Sequence, residues 1–178
     1  MPRKIIYYVA ASIDGFISGP GDDISGFVAD GNGVEKYLAD LQEFDTVIMG
    51  RKTYEFGYKY GLKPGQPAYP HMEHYIFSRT LKLENAHEKI HIHPPDLDLI
   101  QNLKSAEGTP VYLCGGGVLA GWLLENELID ILKIKLNPFI QGEGVRIFGD
   151  SKKTYQLQLL EKETFENGLQ IISYKILY

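Results

Sequence analysis

The stretch Val111-Tyr112-Leu113-Cys114-Gly115-Gly116-Gly117 decides the fold, because it joins a short apolar run directly to three successive glycines. The apolar run predicts a buried β-strand, and apolar residues recur with helical spacing over Val118–Asn126. Glycines let the backbone approach a ligand closely, and a helix that starts beside them directs free N–H groups and its positive dipole end to the same place. We therefore expect a pyrophosphate-binding turn here. The alternative is a tight strand-to-helix turn that binds nothing.

Predicted strands and helices alternate on both sides of this stretch. Strands are predicted at Ile5–Ala11, Thr46–Met49, His74–Ser78, Lys89–His93 and Ile129–Leu136, and helices at Val34–Phe44, from Arg51 and at Leu97–Ser105 behind the cap residue Asp96. Near the end, Gln156–Phe165 and Leu169–Tyr178 flank Asn167-Gly168, a strong two-residue hairpin signal. The pattern predicts one α/β domain over residues 1–178, with a mostly parallel central sheet and a C-terminal antiparallel hairpin.

Composition excludes several classes of function. The formal net charge of −5 argues against non-specific binding to nucleic acid or anionic membranes, which attract Lys and Arg. The single cysteine, Cys114, excludes an internal disulfide and a Cys-rich metal site. The first apolar run, Ile5–Ala10, is too short for a secretory signal, and no run approaches the roughly 20 residues that span a bilayer. We expect a cytoplasmic protein that acts on a small molecule, without nucleic-acid or membrane partners.

Two further strand ends carry arginine. Gly50-Arg51-Lys52-Thr53 places two cations and a hydroxyl at a helix start, where the helix dipole alone would favour anions, and a bound phosphate would offset this conflict. Ser78-Arg79-Thr80 follows another strand. The chain has only four arginines, and the guanidinium fork suits phosphate oxygens. Both places suggest recognition of a phosphomonoester such as the 2′-phosphate of NADPH. The alternatives are a solvated first helical turn and ordinary surface.

The turn after the first strand, Ser12-Ile13-Asp14-Gly15, holds the first candidate catalytic side chain. Asp14 could accept a hydrogen bond from substrate or orient a water for proton delivery. The alternative is that Asp14 only caps a turn closed by Gly15.

These places, taken in order, resemble the dihydrofolate-reductase-like superfamily, and in particular the reductase domain of the bifunctional riboflavin-biosynthesis deaminase/reductase. The matching segments are Ala11–Ile17, Val47–Glu55, Ile76–Thr80, Tyr112–Gly117, Leu136–Pro138, Gly142–Gly144 and Ile147-Phe148. The resemblance implies a three-layer fold and an NADPH-dependent oxidoreductase. The implied reaction is hydride transfer to a C=N or C=O bond of a small pyrimidine- or pterin-like substrate, as in 5-amino-6-(5-phosphoribosylamino)uracil reductase.

The resemblance also implies where the cofactor lies. The adenosine phosphates would meet Gly50, Arg51, Lys52, Thr53, Ser78, Arg79 and Thr80, and the pyrophosphate would meet Cys114, Gly115, Gly116, Gly117, Val118 and Leu119. A non-proline cis peptide between adjacent glycines is common there in the superfamily. Ala10 and Ile17 would flank the nicotinamide, and Phe16 to Asp23 would form a mobile lid. The relatives are often dimers, so a homodimer is expected.

Dihydrofolate reductases carry an acidic residue on the first helix that supports protonation. The matching place falls near Val34 and Glu35, which makes Glu35 the second catalytic candidate after Asp14 and keeps folate reduction open as a second activity. Two different classes of protein also stay open. One is a metal enzyme that uses the His71, Glu73 and His74 group or the His91 and His93 pair. The other is a non-catalytic NADPH-binding module.

Overall fold

An eight-stranded sheet forms the middle layer of the molecule. The computed structural model describes residues 1–178. The strands are β1 Ile5–Ala11, β2 Phe16–Ser18, β3 Thr46–Gly50, β4 Glu73–Phe77, β5 Ile90–His93, β6 Val111–Gly115, β7 Ile131–Leu136, β8 Val145–Arg146, β9 Gln156–Thr164 and β10 Gln170–Leu177. The helices are α1 Asn32–Leu41, α2 Arg51–Phe56, α3 Leu97–Ser105 and α4 Gly117–Glu125. The strand order of the large sheet is β5-β4-β3-β6-β1-β7-β10-β9.

Strand pairing confirms the predicted mostly parallel sheet. The six strands from β5 to β7 pair in parallel, whereas β10 pairs antiparallel with both β7 and β9. The central strands β1, β3 and β6 are apolar along almost their whole length, because both of their faces are covered. The Asn167-Gly168 turn joins β9 to β10, so the predicted C-terminal hairpin is also confirmed.

Two hydrophobic cores lie on opposite faces of the sheet, which makes the molecule three-layered. The larger core includes Ile100 and Leu103 of α3 and Leu119 and Leu123 of α4. The second core contains Leu41 of α1 and Tyr54 of α2, together with β-strand residues from the other face. The alternating burial of β1 supplies both cores, since Tyr7 and Val9 face one and Tyr8 faces the other.

Helix boundaries follow local capping. Asp96 Oδ1 accepts hydrogen bonds from the backbone N–H groups of Asp98 (2.9 Å) and Leu99 (3.3 Å), so the predicted cap of α3 is confirmed. The predicted boundaries of α1 were wrong by two to three residues at each end. The helix begins at Asn32 and ends at Leu41, because the chain must turn at Gln42 and bury Phe44 before it enters β3.

A small second sheet was not predicted. Strand β2 pairs antiparallel with β8, so Phe16 lies beside Arg146 and Ser18 beside Val145. The expected lid therefore begins with a paired strand at Phe16–Ser18, and only the residues after it form a turn and loop. Strands of three and two residues are too short to show a period in the sequence. No helix of the structure combines the length and the apolar character that crossing a bilayer requires.

Candidate functional site

The carboxyl ends of β3 and β6 bring two of the predicted phosphate-binding segments together. A Cβ atom on Gly50 would lie 3.8 Å from the Gly116 nitrogen and 3.9 Å from the Gly115 carbonyl oxygen. The Thr53 hydroxyl oxygen lies 3.2 Å from the place where a Gly116 Cβ would stand. The peptide bond between Gly115 and Gly116 is cis, as the resemblance implied. The first turn of α2 and the glycine bend therefore form one wall at this edge of the sheet.

The three glycines are not equivalent. A Cβ on Gly117 would stand 2.2 Å from the Arg146 carbonyl oxygen, so Gly117 is required by the packing of α4 against the segment that follows β8. The interpretation as a tight turn that binds nothing accounts for Gly117. Gly116 has a φ of −92° that any residue adopts, but a Cβ there would crowd the Thr53 hydroxyl oxygen at 3.2 Å. The contact with Thr53 thus gives Gly116 a packing reason too, and a ligand at the bend would use the space that the missing side chain leaves.

The N-terminus of α4 lies beside this space. Gly116 is the N-cap and provides no side-chain hydrogen bond, and the first N–H groups of an α-helix have no partner within the helix. Gly117, Val118 and Leu119 therefore present backbone donors at a positive dipole end. Val118 is 82% exposed, and Leu119 is buried in the core. Each residue therefore offers the site its backbone N–H group and not its side chain.

Cys114 faces the core under α1 and α2, away from this helix start. Its thiol lies 3.7 Å from the Tyr69 hydroxyl, and burial raises its pKa. A buried thiol with a raised pKa is a poor nucleophile. Cys114 therefore packs as a small hydrophobe.

The two arginine-containing segments meet through a hydrogen bond. Arg51 donates from Nη1 to the Thr80 hydroxyl (2.9 Å) and from Nε to Glu55 (2.8 Å). The Ser78 hydroxyl oxygen accepts from the backbone N–H groups of Thr80 and Leu81, which closes the turn after β4. Arg79 is exposed and makes no hydrogen bond or ion pair within the chain. The Arg51 guanidinium is therefore held in place by hydrogen bonds, whereas the Arg79 guanidinium is free, and both lie at the rim formed by the carboxyl ends of β3 and β4.

Lys52, next to Arg51 in the first turn of α2, is also exposed. Its ammonium group has no partner among the hydrogen bonds and ion pairs of the chain. Lys52 therefore adds a second free cation to this edge of the sheet.

Asp14 is held in place by three donors. Its Oδ1 accepts from the Ser12 hydroxyl (2.6 Å) and the Gln141 N–H (3.0 Å), and its Oδ2 accepts from the Gly142 N–H (2.8 Å). The hydrogen bond from Ser12 and those from the two backbone groups lower the pKa of Asp14 to about 2. The carboxylate is ionised at neutral pH, so it cannot itself donate a proton there. Its contacts fasten the loop after β1 to the segment after β7, and a catalytic role for Asp14 stays a prediction.

The remaining predicted site residues lie near β1 and α1. Ala10 is half-buried at the end of β1, and Ile17 on β2 packs against the larger core. Glu35 is exposed in the first turn of α1 and makes no side-chain hydrogen bond. The structure therefore does not join Glu35 to Asp14, and its role also stays a prediction.

The histidines have partners that do not converge on one point. His91 Nε2 lies 2.8 Å from the Glu73 carboxylate, and the His91 ring stacks on Tyr75. His74 is buried, with its ring nitrogens bonded to backbone groups of Tyr69 and Met72. No group of three or more His, Cys, Asp or Glu side chains is arranged to hold a metal ion. The structure gives the metal-enzyme interpretation no ligand cluster.

A wide cleft lies at the other end of the sheet from the glycine bend. It has a volume of about 810 Å³, and its lining comes from residues 1–4, from Ser105–Gly108 and from Pro110. These residues precede β1 and β6, at the amino ends of the parallel strands. Ligands of open α/β sheets bind beyond the carboxyl ends, so the strand ends and not this cleft mark the functional site.

The model of the RibD C-terminal domain family matches residues 3–171, nearly the whole chain. The chain belongs to the RibD C-terminal domain family. Because this is a family of reductase domains, the chain is an oxidoreductase.

Similar proteins match the chain over nearly their whole length. The uncharacterized protein YyaP of Bacillus subtilis (strain 168) is 28% identical over 180 residues, which cover 97% of this chain and 94% of YyaP. A crystal structure of a protein provisionally assigned to riboflavin biosynthesis, from Shewanella sp. PV-4, has a TM-score of 0.82 at 22% identity and covers 100% of both chains. Dihydrofolate reductase from Enterococcus faecalis, complexed with NADP(H), has a TM-score of 0.65 at 14% identity over 97% of this chain and 96% of its own. These likenesses confirm the dihydrofolate-reductase-like fold.

This member of the RibD C-terminal domain family also has a polar cluster under α1 that sequence reasoning missed. Lys133 and Lys135 alternate with apolar residues in β7, a pattern typical of a strand with one solvated face, but both side chains are only half-exposed beneath α1. Asp40, which is 7% exposed, accepts hydrogen bonds from Lys133 (2.8 Å), from the Tyr8 hydroxyl (3.0 Å) and from Lys36. Burial acts to raise the pKa of Asp40, but the hydrogen bonds from the two lysines outweigh it and hold that pKa below its usual range.

Proposed function

We propose that this chain is an NADPH-dependent reductase that transfers a hydride to a C=N or C=O bond of a small pyrimidine- or pterin-like substrate. One observation carries the proposal. The segments Gly50–Thr53, Ser78–Thr80 and Gly115–Gly117, which lie far apart in the sequence, are adjacent at the carboxyl edge of the sheet. A family of reductase domains and a fold shared with an NADP(H)-bound dihydrofolate reductase support the choice of cofactor.

The residues at this edge fit a dinucleotide with an additional phosphate. The backbone N–H groups at the start of α4 and the open Gly116 suit a pyrophosphate. Arg51 and Arg79 lie at the rim, and Arg79 has no carboxylate partner, so it is available to a phosphomonoester. A nicotinamide cofactor bound here supplies the hydride. The task of the protein is then to hold and orient the reactants and to exclude water.

Proton delivery falls to the β1 side of the site. Asp14 is ionised at neutral pH, so its suitable role is to orient a water molecule rather than to donate its own proton. The carboxylate already accepts three hydrogen bonds, and a carboxylate has about four acceptor positions, so one position remains for water. Ala10 and Ile17 supply the apolar surface expected beside a nicotinamide ring.

The first experiment measures cofactor binding and turnover. Titration of the protein with NADPH should change the cofactor's fluorescence and saturate at one site per chain. Oxidation of NADPH is then followed with a ketone, an imine, a pterin and a pyrimidine. Absence of saturable NADPH binding would refute the proposed function. Binding without oxidation by any of the four acceptors would favour a non-catalytic binding module instead.

A homodimer is part of the proposal, and β9 supplies a surface for it. This nine-residue strand lies at the edge of the sheet, and it exposes Leu157, Leu159 and Leu160 by 43%, 56% and 50%. An edge strand leaves a row of unpaired N–H and C=O groups, and proteins usually cover or disrupt such edges. A second copy of the chain at β9 would cover both the strand edge and the leucines.

A further inference from the structure

One lysine on α1 and two lysines beneath it differ in what compensates their charge. Lys133 and Lys36 both donate to the Asp40 carboxylate. The Lys135 side chain, two residues further along β7, makes no ion pair and no hydrogen bond within the chain. Its ammonium group lies 4.2 Å from the centre of the Tyr37 ring, which attracts a cation but does not accept a full hydrogen bond. Lys135 is therefore a half-buried cation without an anionic partner.

The register of the sheet places Lys135 beside the predicted nicotinamide position. Ala10 of β1 pairs with Lys135 of β7, and Tyr8 pairs with Lys133 two residues before. Paired residues of parallel strands share a face, so Lys135 and Ala10 both lie on the α1 side of the sheet, as the contact between Lys133 and the Tyr8 ring also shows. Ala10 is half-buried and has only a methyl side chain, so the neighbour of Lys135 on β1 is small.

No carboxylate of the chain is placed to neutralise Lys135. Asp40 is already engaged by two lysines and Tyr8. Glu163 on β9 shares the face, but Ile171 of β10 stands between it and Lys135, and two strand spacings amount to roughly 10 Å. Glu161 lies two residues further along β9, opposite Ser173. Burial lowers the pKa of Lys135, as expected for a cation whose water has been removed and not replaced by an anion.

We propose that Lys135 is the substrate-binding cation of this reductase, and that its substrate carries an anionic oxygen, as a carboxylate or a deprotonated ring oxygen, next to the bond that is reduced. This inference deepens the proposed function and rests on it for the place of the reacting bond. A substrate anion at this position would form the ion pair that no carboxylate of the chain forms with Lys135. It would also accept the hydrogen bonds that the Tyr37 ring cannot accept.

The test uses two probes that share one pyrimidine ring and differ in charge: orotate, a pyrimidine carboxylate, and its neutral methyl ester. Their binding is measured by calorimetry, with and without saturating NADP⁺. The unmodified protein should bind orotate at least about tenfold more tightly than the ester, the size of one charge-assisted hydrogen bond. Lys135→Met should abolish that preference, and Lys135→Arg should retain part of it. Lys175→Met, an exposed lysine of β10, is the matched control and should change nothing.

A stability measurement separates a binding role from a structural one. Replacing an uncompensated half-buried cation by methionine removes a desolvation cost, so Lys135→Met should unfold at the same temperature as the parent protein or at a higher one. Equal affinity of the unmodified protein for the two probes would overturn the proposal. So would an orotate preference that survives in Lys135→Met. Failure of NADP⁺ to bind would refute the proposed function separately, because the titrations without cofactor still report on Lys135.

Discussion

Replacing Arg79 by alanine should weaken the binding of NADPH and leave the binding of NADH nearly unchanged. Arg79 is exposed and has no partner in the chain, so its removal breaks no native contact. Substitutions at such positions usually change the free energy of unfolding by less than about 0.5 kcal/mol. Any loss of affinity can then be attributed to a lost contact with the cofactor and not to a change in the fold.

The magnitude follows from the exposure of the side chain. A hydrogen bond to a charged group contributes about 1.5–3 kcal/mol when it is well made. Because Arg79 stays in contact with solvent, screening should reduce this to about 1–2 kcal/mol, or roughly five- to thirtyfold in Kd. Arg51 is a poorer choice for this experiment, since it also bonds to Thr80 and Glu55, and its loss would disturb the fold of the rim.

The assay is a pair of fluorescence titrations with NADPH and NADH on Arg79→Ala and on the parent protein. Lys82→Ala, which removes an exposed cation three residues away, serves as the control for general electrostatic attraction. Both titrations are repeated at two salt concentrations, because exposed charges are screened. An equal loss for the two cofactors, or an equal effect of Lys82→Ala, would show that Arg79 does not recognise the 2′-phosphate.

Two further predictions test the loop after β1 and the edge of the sheet. Asp14→Asn should lower the melting temperature at neutral pH, because the amide cannot accept all the hydrogen bonds of the carboxylate. The pKa of Asp14 is lowered from 3.8 to about 2, so the ionised carboxylate stabilises the fold fully above about pH 4. The difference in melting temperature between variant and parent should therefore shrink as the pH falls from about 4 towards 2. A difference in melting temperature that is constant with pH would contradict this. Leu159→Lys should convert the proposed dimer to a monomer, as measured by light scattering after size exclusion. Lys162→Ala is the control. An unchanged mass of Leu159→Lys would exclude β9 as the interface.

The elements that the sequence predicted well are those with a buried period or a local capping signal. Strand β1 matches its predicted boundaries, Ile5–Ala11, because nearly every residue in it is apolar. Helix α3 matches because Asp96 provides a cap that can be identified from residue type alone. The pairing of β2 with β8 could not be predicted, since it depends on the close approach of Gly144 to the Ser18 carbonyl, a contact between segments more than 120 residues apart.

The sequence predicts the proposed cofactor-binding residues better than it predicts the proposed substrate contact. The proposed cofactor-binding residues lie at strand ends, where glycine, arginine and hydroxyl residues stand out from their neighbours, so Gly50, Arg79 and Gly116 could be selected from the sequence. The proposed substrate contact, Lys135, lies within β7. There, Lys133 and Lys135 look like a solvated face until the position of α1 is known.

The strand order places the proposed cofactor position next to the proposed substrate contact. Strand β1 lies between β6, which ends in the glycine bend, and β7, which carries Lys135. In the proposed binding mode, a cofactor that extends from the bend towards Ala10 would therefore approach β7, which carries the half-buried ammonium group of Lys135. Ala10 and Lys135 are neighbours across the β1–β7 pair, so their backbones lie one strand spacing apart, about 4.8 Å. If the nicotinamide lies beside Ala10 as proposed, this distance is short enough for one small substrate to contact both the cofactor and Lys135.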